Sequence, residues 1–151
     1  HGQIYKVRPD VNAVVHSHSP TIIPFSVTEK PLRAVFHNGH FLGQGVPVWE
    51  IREHAGVQNN MLVLTNELGQ SLAQALGKGS VILMRGHGNA VAGPDLKTAV
   101  FRAIYTEVNA KLQMQAVMLG GPINFLNEYE QLKAQNVDRP WATWKKQVGA
   151  P

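Results

Sequence analysis

Short β-branched runs interleaved with capped helical stretches predict an α/β or α+β domain, a layered unit of strands and helices. Three observations carry that expectation. Val11–His18 reads V-N-A-V-V-H-S-H between the turn signals Arg8-Pro9-Asp10 and Ser19-Pro20. Val81–Met84 is a four-residue apolar run that follows a glycine stop at Gly77 and Gly79. A long helical stretch then runs from Pro94-Asp95 to the stop at Gly120-Gly121. At 151 residues and 44% apolar composition the chain is long enough to bury one core.

The elements follow in chain order. The chain opens His1-Gly2-Gln3-Ile4-Tyr5, with no initiator Met, and runs at once into a strand-like stretch, as expected of a chain cut inside a domain. After the first strand, Pro20, Pro24 and Pro31 punctuate a loop or short helix. Ala34–Gly45 reads as irregular, Val46–Val48 as a short edge strand because Pro47 cannot donate to a ladder, and Met61–Leu64 as another short strand. Leu68, Leu72 and Leu76 recur at helical spacing over Thr65–Leu76. Arg85-Gly86-His87-Gly88-Asn89 is turn-rich. Pro94 is expected at the first helical position of the long helix, with Leu96, Val100, Ala103-Ile104, Val108 and Leu112 as its buried face. A shorter helix is expected over Asn124–Ala134, and the tail with Trp141 and Trp144 is expected to pack on the body or on a neighbouring subunit.

Composition excludes several functions. The formal charge of +4 comes from scattered basic residues whose one tight pair is Lys145-Lys146, so no basic stripe marks a nucleic-acid partner. The excess of base suits a small anionic substrate. There are no cysteines, which rules out disulfides and thiolate metal sites. No apolar run reaches the ~18 residues of a membrane span and no signal peptide is visible, so a soluble, cytoplasmic protein is expected.

Chemistry centres on the histidines. His16 and His18 stand at i and i+2 on a strand, so both imidazoles project from one face, about 7 Å apart along the chain, while Ser17 points the other way. Two imidazoles on one face can converge on one metal ion. His87, between Gly86 and Gly88 just past the second strand, is the best candidate for a third ligand. On spacing alone, an incidental H-x-H and a plain turn histidine stay open beside a three-histidine metal site.

The run His1-Gly2-x-Ile4-Tyr5-x-x-Arg8-Pro9-Asp10-Val11-x-Ala13-Val14-Val15-His16-x-His18, followed by Arg85-Gly86-His87-Gly88, resembles the class II aldolase/adducin family over residues 1 to about 120. Phe41-Leu42-Gly43-x-Gly45-Val46-Pro47-Val48 and Ala103-Ile104-Tyr105-x-Glu107-x-Asn109-Ala110 resemble its decarboxylase branch, which acts on hydroxylated aromatic or pyridine carboxylates. The resemblance implies a three-layer α/β/α sandwich with a mostly antiparallel central sheet. It also implies a lyase that breaks a carbon–carbon bond through an enolate-type anion, a homotetramer with sites at subunit interfaces, and one divalent metal ion on His16, His18 and His87. Zinc suits imidazole ligands, with Mn, Mg and Co left open. It further implies that residues 1–151 form a single domain whose N-terminal part, with a glutamate ligand or base and the phosphate-binding Gly and Ser loops, lies upstream of His1. A sugar-phosphate aldolase or epimerase and a non-catalytic adducin-like scaffold are the alternatives.

Further site residues are candidates by type and position. Tyr105 and His1 are candidate catalytic residues, Tyr105 as a proton donor and His1 facing or capping the metal site, and Arg85 and Ser17 are candidate substrate contacts, Arg85 because a guanidinium fork matches a carboxylate beside His87. Arg102 is a second such fork, and His37, His40 and His54 are possible proton shuttles. Glu107 is expected to pair with Lys111 one helical turn on.

Overall fold

The computed structural model describes residues 1–132 and 136–149. Its centre is a four-stranded sheet of β1 (Ala13–Ser17), β2 (Val48–Trp49), β3 (Val81–Met84) and β4 (Gly88–Gly93) in the spatial order β1-β4-β3-β2. β1 and β3 both run antiparallel to β4, and β2 runs parallel to β3 at the edge. β4 is the central strand that the turn-rich reading of Arg85–Asn89 did not anticipate. Its sequence Gly-Asn-Ala-Val-Ala-Gly carries little strand propensity, and pairing on both sides forms it instead.

Helices cover both faces. Strand alternation sends Ile82, Met84, Ala90, Ala92 and Val14 to one side, where α1 (Gly2–Val7) and α4 (Asn66–Leu76) close a core with Ile4, Leu72 and Leu76. Val81, Leu83, Val91 and Val15 face the other side, against α2 (Ile23–Ser26), the 3-10 helix His37–Leu42 and α5 (Leu96–Leu119). The layered, mostly antiparallel arrangement expected from the resemblance is therefore present. Thr65 caps α4 by accepting from the Leu68 N–H, and Gly77 ends it at φ +54.

Several elements differ from the sequence expectation, each for a local reason. The opening segment is the helix α1, not a strand: Ile4 alone of its residues is buried, and one inward residue in six suits a helix lying on α4. Residues 61–64 form no strand, because Met61 takes a left-handed φ of +62 that breaks an extended run. Asp95, not Pro94, starts α5, its carboxylate accepting from the Thr98 N–H as the N-cap. The face of α5 is turned from the expected one. Leu96 is 60% and Leu112 38% exposed, while Thr106, Asn109 and Gln113 are buried. The amides decide this. Asn109 accepts from Val35 N–H and donates to Arg33 C=O, and Gln113 does the same to Arg33 N–H and Pro31 C=O, so α5 clamps the extended segment 31–35 through polar groups. The short helix near the end is α6 (Glu128–Gln131), started by Asn127; the expected terminus at Ala134 lies outside the described residues. α7 (Asp138–Gln147) packs on the body, with the Trp144 ring 5.9 Å from Tyr105 and Lys97 paired to Asp138. The remaining helix, α3 (Arg52–Ala55), lies between β2 and α4 in the chain. No described helix is long and apolar enough to cross a membrane.

Candidate metal centre

The β3–β4 hairpin builds half the site. Its turn, Arg85-Gly86-His87, needs the positive φ of +64 at Gly86, and it lifts His87 beside the end of β1. Gly88 lets the strands close up, since a side chain there would run into the Ser17 carbonyl and sit 3.1 Å from His18 Cδ2. His16 projects from β1 opposite Ala90, and His18 follows one residue past the strand end.

The three imidazoles converge on their Nε2 atoms. His18 Nε2 lies 2.9 Å from His16 Nε2 and 3.0 Å from His87 Nε2. These are the metal-capable cluster among the described residues, with one ligand atom from each within 4.8 Å of the others. Two rings are oriented from behind. His16 Nδ1 lies 2.9 Å from the Asn89 carbonyl oxygen and His87 Nδ1 2.8 Å from that of Met61. A carbonyl only accepts, so both rings carry their proton on Nδ1 and present a bare lone pair at Nε2. His18 Nε2 stands between these two lone pairs, where all three rings could hold a shared cation. At these separations neighbouring imidazole nitrogens could share one ion through bonds of ~2.0–2.1 Å. Burial holds the His16 pKa below the ordinary imidazole value; the Asn89 carbonyl opposes this, and the neighbouring His87 and His18 add to it. The shift favours the neutral form that a metal ligand needs.

Beside the triad lies a cavity of about 390 Å³ walled by Ile4, Leu62, Val63, Leu64, Leu72 and Met84. His1 lines it too. The remaining candidates fall elsewhere. Ser17 points to the opposite face and donates to the buried Asn89 Oδ1 at 2.6 Å, which removes it from the pocket. Arg85 adjoins His87 in sequence, but its Nε is 2.5 Å from Glu50 Oε2, and Glu50 also accepts from Arg52 at 2.6 Å. Its guanidinium is thus engaged away from the cavity. Arg102 is drawn inward to the Ala92 carbonyl at 2.7 Å. Tyr105 sits on α5 behind the sheet, its ring 4.5 Å from Phe101, and shares a separate cavity of about 620 Å³ with His37 and His40. His54 stacks on Trp49 at 5.8 Å. Glu107 accepts a hydrogen bond from Ser19 Oγ in place of the expected pairing with Lys111. Sequence reasoning missed Asn89 and Met61, which act through backbone carbonyls, and the Leu62–Leu64 wall, which it had assigned to a strand.

Residues 1–114 match the family model described as Class II Aldolase and Adducin N-terminal domain. The chain belongs to the class II aldolase and adducin family. Among curated members of the family, the chain is 34% identical to Decarboxylase tropJ of Talaromyces stipitatus, over 98% of the chain and 65% of that protein. It is 26% identical to the 3,4-dihydroxyphthalate decarboxylase of Arthrobacter keyseri, over 98% of the chain and 60% of that protein. The chain thus spans somewhat under two thirds of the length of these relatives. The crystal structure of an aldolase II superfamily protein from Pseudomonas syringae shares the fold, with a TM-score of 0.76 at 21% identity over 98% of the chain and 60% of that structure.

Proposed function

We propose that the protein is a metal-dependent lyase that removes CO2 from a hydroxylated aromatic or pyridine carboxylate. The observation that carries this reading is the convergence of three imidazole Nε2 atoms beside an apolar-walled cavity of about 390 Å³. Apolar walls suit an aromatic ring. The two relatives named as decarboxylases support the same reaction class.

His16, His18 and His87 would hold a divalent ion, zinc by ligand preference, with Mn, Mg and Co as lesser fits to an all-imidazole set. When bound, such an ion supplies Lewis-acid stabilisation of negative charge developing on the substrate. The chain's own groups do the rest. Neutral imidazoles leave the ion's charge undiminished. Ile4, Leu62, Leu64 and Met84 hold the ring and exclude water from the breaking bond. In that step the bond from ring carbon to carboxylate breaks, CO2 leaves, and the electron pair stays on a carbon conjugated with the hydroxyl oxygen, as an enolate-type anion. A proton must then reach the carbon, and His1, which lines the cavity beyond the triad, is our candidate donor. Leu96, Val100, Ile104, Val108 and Leu112 line one side of α5 with partial exposure, which supports a homotetramer whose other copies cover that helix.

The test follows CO2 release from 3,4-dihydroxyphthalate by the zinc-loaded and manganese-loaded protein, beside cleavage of a ketose phosphate. The expected result is CO2 release that is abolished in His16→Ala and by a chelator. Ketose phosphate cleavage without CO2 release would overturn the reading in favour of an aldolase.

A further inference from the structure

Met61 is the non-glycine residue with a positive φ, +62, among the described residues. An L side chain resists this conformation because its Cβ crowds the following carbonyl. The surrounding contacts impose it. Met61 N–H donates to Asn59 Oδ1 at 2.9 Å, Leu62 N–H donates to Asn60 Oδ1 at 3.1 Å, and Asn59 Nδ2 donates to the Gly56 carbonyl at 2.5 Å. The strained backbone then turns the Met61 carbonyl to His87 Nδ1 at 2.8 Å. An ordinary negative φ would aim that carbonyl elsewhere.

The side chain explains why glycine, which adopts this φ freely, does not stand there. Met61 lines, with Trp49, Ile51, Met84, Arg85 and His87, a niche too tight to admit water. Its Cε lies 3.2 Å from where a side chain on Gly86 would begin, so Gly86 and Met61 fit together as a pair. The next three residues, Leu62, Val63 and Leu64, wall the cavity. One loop therefore holds a ligand ring from behind and meets the substrate in front.

We infer that Met61 is the positioning residue of the metal centre. Its left-handed backbone keeps the proton of His87 on Nδ1 and the Nε2 lone pair toward the ion. The inference rests on the metal reading proposed above and extends it to a residue that touches neither metal nor substrate.

Two measurements test it. In the metal-free protein, nitrogen-15 NMR of the histidine rings is expected to place the proton of His87 on Nδ1; a proton on Nε2 overturns the inference, whether or not metal binds. Zinc chloride is then titrated into the metal-free wild type, Met61→Pro and Met61→Gly. Proline forbids positive φ and is expected to weaken zinc binding ~10–100-fold, the usual cost of losing the partner of a ligand histidine. Glycine keeps both φ and carbonyl and is expected to stay within about threefold of wild type. Wild-type affinity in a folded Met61→Pro overturns the inference. If Met61→Pro does not fold, Asn59→Ala, which frees the Met61 N–H, takes its place with the same expected direction, and unchanged affinity there counts against it. A wild type that takes up no zinc would sink the metal reading alone, leaving the His87 tautomer to decide the role of Met61.

Discussion

Substituting Gly88 by alanine puts a methyl group where β1 and β4 touch. That carbon would stand 3.1 Å from the Ser17 carbonyl carbon and from His18 Cδ2, and closer still to the Ser17 carbonyl oxygen. The Ser17 carbonyl oxygen, the nearest atom to that carbon, sets the scale: carbon atoms themselves pack at about 3.5–4.0 Å, so the end of β1 must retreat by roughly 1 Å or more. Overpacking of this kind costs about 1–3 kcal/mol. At ~2–4 °C per kcal/mol for a chain of this size, Tm should fall by about 2–12 °C. The effect on the metal centre should be larger, because β1 carries His16 and leads into His18 while His87 stays with the hairpin. Metal–ligand distances tolerate only ~0.2 Å, so zinc affinity should weaken at least about tenfold. Differential scanning calorimetry and zinc titration of Gly88→Ala read both quantities. Gly2→Ala, where a side chain meets nothing within 4 Å, is the neutral control. A Gly88→Ala variant with wild-type Tm and wild-type zinc affinity would refute the packing argument.

Two further perturbations test the scaffold and its electrostatics. Asn109→Ala leaves the Val35 N–H and the Arg33 carbonyl without their partner in a fully buried position, and should cost ~2–4 kcal/mol, read as a lower urea midpoint at unchanged m-value. Glu50, held by Arg52 and Arg85, has its carboxyl pKa lowered from 4.5 to about 2, with the Arg52 side chain the largest cause. Its contribution is therefore present in full above the unfolded value of 4.5 and lost as pH falls through about 2. Glu50→Gln should cost roughly 1–2 kcal/mol near neutral pH, after allowing for solvent screening, and the gap between variant and wild type should close between pH 4.5 and 2. A gap that stays constant over that range would show that charge is not what Glu50 contributes.

What the sequence disclosed and what it hid follow from how each residue acts. β1, β3 and α4 were legible because their burial pattern is written in side-chain type: Val14 and Val15 to opposite faces, Val81–Met84 buried throughout, and Leu72 and Leu76 inward from a capped helix. The length of α5 was legible from its glycine stop, but its orientation was not. Hydrophobic spacing cannot foresee that Asn109 and Gln113 find complete hydrogen bonding on the segment 31–35 and so turn inward in place of Leu96 and Leu112. β4 escaped because a strand of glycine, asparagine and alanine owes its form to neighbours on both sides. In the candidate site, the histidine pair followed from strand alternation, whereas His87 needed the hairpin to bring it across. Arg85 and Tyr105 show the limit of proximity along the chain: one lies beside His87 in sequence yet pairs with Glu50, and the other lies on a helix behind the sheet. Met61 and Asn89 act through carbonyl oxygens that every residue possesses, so residue type gives no sign of them.

The central claim is that His16, His18 and His87 hold one divalent ion through their Nε2 atoms. Metal analysis of the purified protein combined with X-ray absorption at the metal edge tests it most directly. The account predicts one ion per chain with three imidazole nitrogens at ~2.0–2.1 Å, and loss of the ion in His87→Ala. An ion absent at stoichiometric level from a fully folded wild type, or one whose shell holds no imidazole, would contradict it.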